Sequence, residues 1–142
     1  MRKFIIIGGG QSGLQVGIGL LKAGHQVRIV QNRSADEVAS GKVLSSQCMF
    51  SNAVQHERDI GIDFWSTECP RVEGINFIVP NPDDSGTKLI DWSARLDSNA
   101  YSVDQRVKIP RWMAEFSRLA GQMEIADGAL PRLKPTPAKT IW

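Results

Sequence analysis

Gly8, Gly10 and Gly13 stand in the spacing G-x-G-x-x-G, directly after the apolar run Phe4-Ile5-Ile6-Ile7. This spacing handles phosphate without side chains. Gly8 permits a tight turn, Gly10 lets the backbone approach a pyrophosphate, and Gly13 lets a following helix lie close against the strand. The N–H groups of Gly10, Gln11, Ser12 and Gly13 then face the ligand, and the helix dipole favours its negative charge. A surface dipole contact is worth only about 0.3–1 kcal/mol, so several backbone hydrogen bonds must carry most of the phosphate affinity. On its own the spacing is a weak signal, and its surroundings decide its meaning.

Where a second strand should end, the chain reads Val30-Gln31-Asn32-Arg33. NAD and FAD sites usually place Asp or Glu there to hold ribose hydroxyls, and here the acid is missing. Gln31 or Asn32 offers an uncharged ribose contact. Arg33 suits either a 2′-phosphate, which would mean NADP, or an adenine face. A plain solvated turn is the bland alternative, and spacing alone does not choose between FAD and NADP. The remaining reactive side chains suggest no catalytic set. His25 and His56 lack a partner at ligand spacing, and neither a Ser/His/Asp triad nor a metal constellation is present in the pattern. Cys48 is expected to be a small packing residue, and Asp83-Asp84 a solvated loop tip.

The elements around the glycines have the required order. Phe4–Ile7, apolar on both faces, suits a buried parallel strand with layers above and below. A helical pattern covers Ser12 to Ala23, and Gly24 sits where a C-cap glycine belongs. Val27–Val30 is a second strand, so the start of the chain forms a βαβ unit with a right-handed crossover. Residues 32–41 are polar, with a helical turn near Asp36-Glu37. Residues 42–63 carry helical spacing around Phe50, Val54 and Ile60, ending near Gly61. Residues 72–79 and 87–96 read as an antiparallel hairpin across the turn formers Pro80 to Gly86. Pro110 to Ala120 is an amphipathic helix, with Pro110 in its first turn, Trp112, Met113, Phe116 and Leu119 as its core stripe, and Gly121 as C-cap. Met123-Glu124-Ile125 is a candidate third parallel strand. Pro131, Pro135 and Pro137 forbid regular structure in the tail.

At 142 residues, with 42% apolar and 23% charged, the composition is that of one ordered globular domain. The net charge of +2 comes from the tail: the last fifteen residues carry Arg132, Lys134 and Lys139 and no acid, leaving −1 for positions 1–127. That is no nucleic-acid footprint. Two cysteines without a CxxC spacing suggest reduced thiols. The apolar run at the start is too short for a secretion signal, and no stretch approaches the ~20 apolar residues of a membrane span. A soluble cytoplasmic protein is expected.

Longer segments carry a more specific signal. Gly8-Gly9-Gly10-Gln11-Ser12-Gly13-Leu14, Asn32-Arg33, Asp36-Glu37, Ser40-Gly41, Asn52-Ala53-Val54-Gln55 and Asp104-x-Arg106 closely resemble the oxygenase component of two-component styrene and indole monooxygenases. Leu44 to Phe50, Glu68-Cys69-Pro70, Val72 to Ile75, Pro80-Asn81-Pro82 and Ile90 to Leu96 are similar to a subgroup of these enzymes. The resemblance runs from Met1 to about Ile125.

The resemblance implies FAD. A separate flavin reductase would supply reduced FAD, and a flavin hydroperoxide would pass one oxygen to a small aromatic alkene or to indole. The flavin performs that chemistry, so no catalytic side chain is assigned. Gly8, Gly10, Gln11, Ser12, Gly13, Asn32 and Arg33 map onto the pyrophosphate and adenosine parts of the site. Arg106 matches an arginine near the cofactor. Lys42 and Ser46 map near the flavin ring, where the best-known styrene enzymes carry an arginine and an asparagine. The expected fold is α/β: residues 1–127 form the N-terminal part of a doubly wound, Rossmann-like FAD-binding domain. A small antiparallel hairpin from the substrate domain is inserted at about 70–100, and 128–142 is an atypical Pro-rich tail. The family's chains are far longer, so a shortened form with little activity is expected, its three-stranded sheet keeping an open edge and an uncovered apolar face. Neither nucleic acid nor membrane is an expected partner, and a homodimer stays open. A non-catalytic nucleotide-binding remnant and an NADP-binding module are the alternatives.

Overall fold

The computed structural model describes residues 1–43, 46–83, 85–96 and 99–126. The Pro-rich tail, Leu44-Ser45 and Asp84 lie outside the described residues.

The chain opens with β1 (Lys3–Ile7), α1 (Gln11–Lys22) and β2 (Gln26–Gln31). β1 and β2 are parallel, with Lys3 opposite Gln26 and Ile7 opposite Val30. Gly24, at φ +79°, ends α1: its N–H donates to the Leu21 carbonyl at 2.9 Å and that of His25 to Leu20 at 3.0 Å. A left-handed residue after the last turn satisfies carbonyls that the helix leaves free. The polar stretch beyond β2 forms α2 (Ala35–Ala39), closed by a reciprocal cap. Ser34 Oγ accepts from the Glu37 N–H at 3.2 Å, and Glu37 Oε2 accepts from the Ser34 N–H at 2.6 Å. Those Ser34 donors hold the Glu37 carboxyl below its usual range.

The middle of the chain departs from the expected long helix. Residues before Phe50 form β3 (Ser46–Met49), and only α3 (Ser51–Asp59) is helical. Alternation along β3 buries Met49 and exposes Cys48, so Cys48 is not the packing residue expected; Cys69 is the buried thiol. β4 (Gly74–Pro80) and β5 (Lys88–Arg95) form the expected antiparallel hairpin as a separate two-stranded sheet. Ile75 opposite Ala94, Phe77 opposite Trp92 and Val79 opposite Ile90 give it one wholly apolar face, and Phe77 and Trp92 remain more than half exposed.

β6 (Tyr101–Asp104) pairs antiparallel with β3, Ser46 lying opposite Asp104. It runs directly into α4 (Gln105–Arg118). This helix starts earlier than Pro110, because Asp104 caps it by accepting the Arg106 N–H at 2.8 Å. Pro110 therefore lies inside the helix and leaves the Arg106 carbonyl without its usual helical donor. The far end also differs from expectation. Ala120, not Gly121, takes the left-handed conformation, at φ 61°. Gly121 is needed for space instead: a Cβ there would fall 2.4 Å from the Phe116 ring.

β7 (Gln122–Ile125) is the third parallel strand and completes the order β1-β2-β7. Helices α1 and α4 cover one face of this sheet. Leu14, Ile18, Val27, Ile29, Ile62, Ile109, Trp112, Met113 and Phe116 form the main core between them. The opposite face is the uncovered apolar face expected of a three-stranded sheet, so β1 lacks the second layer that its sequence suits. Ile5 is 52% exposed and Ile7 43%, because no described element lies over them. A second core of Met49, Val54, Trp65, Cys69, Tyr101 and Val103 joins α3 to the β3–β6 pair. No described helix is long and apolar enough to cross a membrane.

Candidate functional site

The turn between β1 and α1 is built as its glycines require. Gly8 has φ +104°, which side chains rarely adopt, and its N–H donates to the Val30 carbonyl at 2.8 Å. A Cβ at Gly13 would stand 2.0 Å from the Gly8 carbonyl oxygen, so this position sets how closely α1 approaches β1. A Cβ on Gly9 would collide with the Gln31 side chain. A Cβ on Gly10 would meet nothing within 4 Å. Gly10 thus faces open space at the start of α1, where free backbone N–H groups gather.

That space is a cleft of about 340 Å³. Gly8, Gly9, Gly10 and Gln11 form one side, Gln31, Asn32 and Arg33 the end of β2, and Val38, Lys42 and Val43 the stretch after it. Gln47 from β3 and Gln105, Arg106, Ile109 and Met113 from α4 close it. Three cations, Arg33, Lys42 and Arg106, line the cleft, and no carboxylate does so among the described residues.

Seven expected site residues therefore meet at one cleft: Gly8, Gly10, Gln11, Asn32, Arg33, Lys42 and Arg106. Ser12 points to solvent on α1, and Gly13 packs behind the turn against β1. Ser46 opens β3, and its side chain is outside the described residues. Gln31 lines the cleft but turns its amide nitrogen toward the core. It is buried, and its Nε2 donates to Met123 Sδ at 2.9 Å. Gln31 thus fills space below the glycine turn, leaving Asn32 and Arg33 as the polar groups at this end.

Arg106 is held by its neighbour. Its Nε and Nη2 reach the Asp104 carboxylate at 3.1 and 2.7 Å. The Arg106 guanidinium and backbone N–H hold the Asp104 carboxyl below its usual value. A depressed folded value stabilises the native state fully above the unfolded value near 4, and that contribution fades as pH falls through the folded value. Asp104→Ala is expected to cost about 0.5–2 kcal/mol at neutral pH through the lost cap. In urea melts the gap between wild type and variant should narrow below about pH 4. A gap independent of pH would remove the carboxylate from the cap.

Two features of the site escaped the sequence reading. One is a link among three glutamines. Gln105 Nε2 donates to Gln47 Oε1 at 2.5 Å and to Gln11 Oε1 at 3.2 Å, tying α4, β3 and α1 together at the cleft. The other is a buried ion pair behind it. Lys108 Nζ meets Glu57 Oε1 at 2.5 Å, with both residues almost fully buried. Trp65 Nε1 donates to Glu57 Oε2 at 2.7 Å, and Nζ sits over the Trp112 and Trp65 rings at 4.4 and 5.0 Å. Burial pushes the Glu57 carboxyl up and the Lys108 ammonium down, and their mutual contact opposes both shifts. The pair locks α3 to α4 one residue before Ile109, which lines the cleft. Among the described residues no group of His, Cys, Asp and Glu could hold a metal.

No family model matches the chain, and no curated protein matches it significantly. Solved structures do. The flavin-dependent monooxygenase PieE, solved with FAD and substrate, is similar over 88% of this chain at TM-score 0.65 and 16% identity, using 24% of its own length. The flavin-dependent brominase Bmp2 is similar over 88% at TM-score 0.63 and 17% identity, using 29% of its own. The tetrameric form of 2-methyl-3-hydroxypyridine-5-carboxylic acid oxygenase is similar over 87% at TM-score 0.61 and 12% identity, using 31% of its own. The chain thus spans less than a third of the length of these structures. It has part of the mixed α/β fold of flavin-dependent monooxygenases, with a parallel sheet and small antiparallel sheets.

Proposed function

We propose that the cleft binds the ADP portion of FAD, and that the chain forms the flavin-binding part of a monooxygenase component of the styrene and indole type. One observation carries this reading. The Gly10 position opens onto a cleft lined by Arg33, Lys42 and Arg106 with no carboxylate among its described residues. A concavity at a helix start, lined by Arg33 and Lys42 and by Arg106 in its pair with Asp104, suits a diphosphate. The residues present fit the group. Gly8 to Gln11 would hold the pyrophosphate, Asn32 and Arg33 the adenosine end, and Lys42 and Arg106 the side leading to the flavin.

A bound flavin supplies the oxygen chemistry, which no side chain here performs. The chain's own residues bind, orient and shield. Ile109, Met113, Val38 and Val43 give the cleft an apolar lining, which would help to exclude water once the ligand is seated. The Asp104 contact holds Arg106 in one orientation, so less side-chain entropy is lost on binding. A separate reductase would deliver reduced FAD, and a small aromatic alkene or indole would be the oxygen acceptor. Both the fold neighbours, which include the flavin-dependent monooxygenase PieE solved with FAD, and the segments from Gly8 to Leu96 support this reading.

Titration with oxidised FAD, reduced FAD and NADPH tests the cofactor, and styrene epoxidation with an added flavin reductase tests the activity. Binding of NADPH alone would overturn the flavin reading. Arg33→Ala is expected to weaken FAD binding by about 1–3 kcal/mol, the cost of losing a hydrogen bond to a charged group. An unchanged dissociation constant removes Arg33 from the site.

A further inference from the structure

The glutamine link has a direction. The amide nitrogen of Gln105 carries two hydrogens, and both are directed at side-chain oxygens, one on Gln11 and one on Gln47. Each of those two oxygens thereby accepts a hydrogen bond from Gln105, which holds its amide in one orientation. Each of the two amides keeps its Nε2, which has no protein acceptor among the described residues. Both side chains line the cleft, Gln11 in the first turn of α1 beside Gly10 and Gln47 across from it on β3. An amide left free to turn presents either a carbonyl or an NH₂ group, and the two faces have opposite polarity. A diphosphate offers oxygens that only accept, so a carbonyl turned toward it repels and an NH₂ group bonds.

Given the nucleotide reading above, we propose that Gln105 is a positioning residue that sets the polarity of the cleft, turning the Gln11 and Gln47 amides so that both offer N–H to the oxygens of a diphosphate. Gln105 need not touch the ligand. Its place is fixed because it opens α4 immediately after the Asp104 cap, at the end of the strand that pairs with β3. The register Gln47↔Val103 and Ser46↔Asp104 brings Gln47 within its reach. The arrangement adds selectivity that the glycine turn lacks, since backbone N–H groups are present in any helix start.

The test compares ADP with adenosine, which lacks the diphosphate. Gln105→Met keeps length and neutrality and removes both donors. Calorimetric titration of the whole chain should show ADP affinity falling about tenfold in this variant while adenosine affinity stays within about twofold. A structural role alone would weaken both ligands alike, and that result overturns the proposal. A second measurement needs no variant. In ¹⁵N-labelled wild type, ADP should shift the side-chain NH₂ resonances of Gln11 and Gln47, and adenosine should leave them in place. Resonances indifferent to bound ADP overturn the role of Gln105 and leave the nucleotide reading standing. Failure of the wild type to bind either ADP or FAD overturns both.

Discussion

Glu57→Ala is expected to lower the unfolding free energy by about 3–5 kcal/mol, because it strands the Lys108 ammonium in the core without its partner. Lys108 is wholly buried, and its other neighbours are two indole faces and the Met49 sulfur. The ring faces attract a cation, at up to about 2 kcal/mol when desolvated, which does not replace a carboxylate. Trp65 loses the acceptor for its indole N–H in the same change. Lys108→Met in the wild type should also destabilise strongly, since Glu57 then keeps only Trp65. Combining Glu57→Leu with Lys108→Met should recover most of the loss, because an apolar pair of similar volume carries no desolvation cost. Urea denaturation of the single and double variants measures the coupling. Additive losses would mean that the two side chains act independently.

Gly13→Ala should have the second large effect, on stability and ligand together. Its Cβ would fall 2.0 Å from the Gly8 carbonyl oxygen, a backbone atom that moves only if the turn moves. Overpacking of this kind typically costs about 1–3 kcal/mol. The shift also displaces the N–H groups that face the cleft, so FAD affinity should fall more than tenfold, about 1.4 kcal/mol or beyond. Gly10→Ala separates the two effects. Open space at Gly10 accepts the methyl group, and stability should stay within about 1 kcal/mol of wild type. A ligand approaching that backbone would still meet the methyl. Normal FAD binding by Gly10→Ala would take the phosphate away from this turn.

The parts of the fold legible in the sequence are those with local causes. Phe4–Ile7, the glycine turn, Gly24 and Val27–Val30 announce the first βαβ unit through short-range chemistry, and the structure forms it. The hairpin was legible from its turn formers for the same reason. Failures arise where a distant partner decides. β3 becomes a strand by pairing with β6, which lies far along the chain, and no local propensity signals it. Proline favours the first turn of a helix, which points to a start at Pro110, yet the Asp104 cap nucleates α4 earlier. Lys108 did leave a trace. It lies one helical turn before Trp112 on the apolar stripe, and a cation there implies a buried partner, although its spacing cannot name Glu57. The site was half legible. The glycines and Arg33 follow from motif chemistry, whereas the inward turn of Gln31 depends on Met123 from a strand that arrives at the other end of the domain.

The strand order β1-β2-β7 sets a timetable for synthesis. The first βαβ unit leaves the ribosome early, carrying the glycine turn and Arg33. The second neighbour of β2, β7, is translated only after α4. At roughly 5–20 residues per second, the two halves of the cleft emerge on the order of ten seconds apart. During that wait the outer rim of β2 is a bare row of peptide groups beside apolar side chains. Closing so long a loop is slow by nature, so that rim stays unpaired in a nascent chain until Gln122–Ile125 docks.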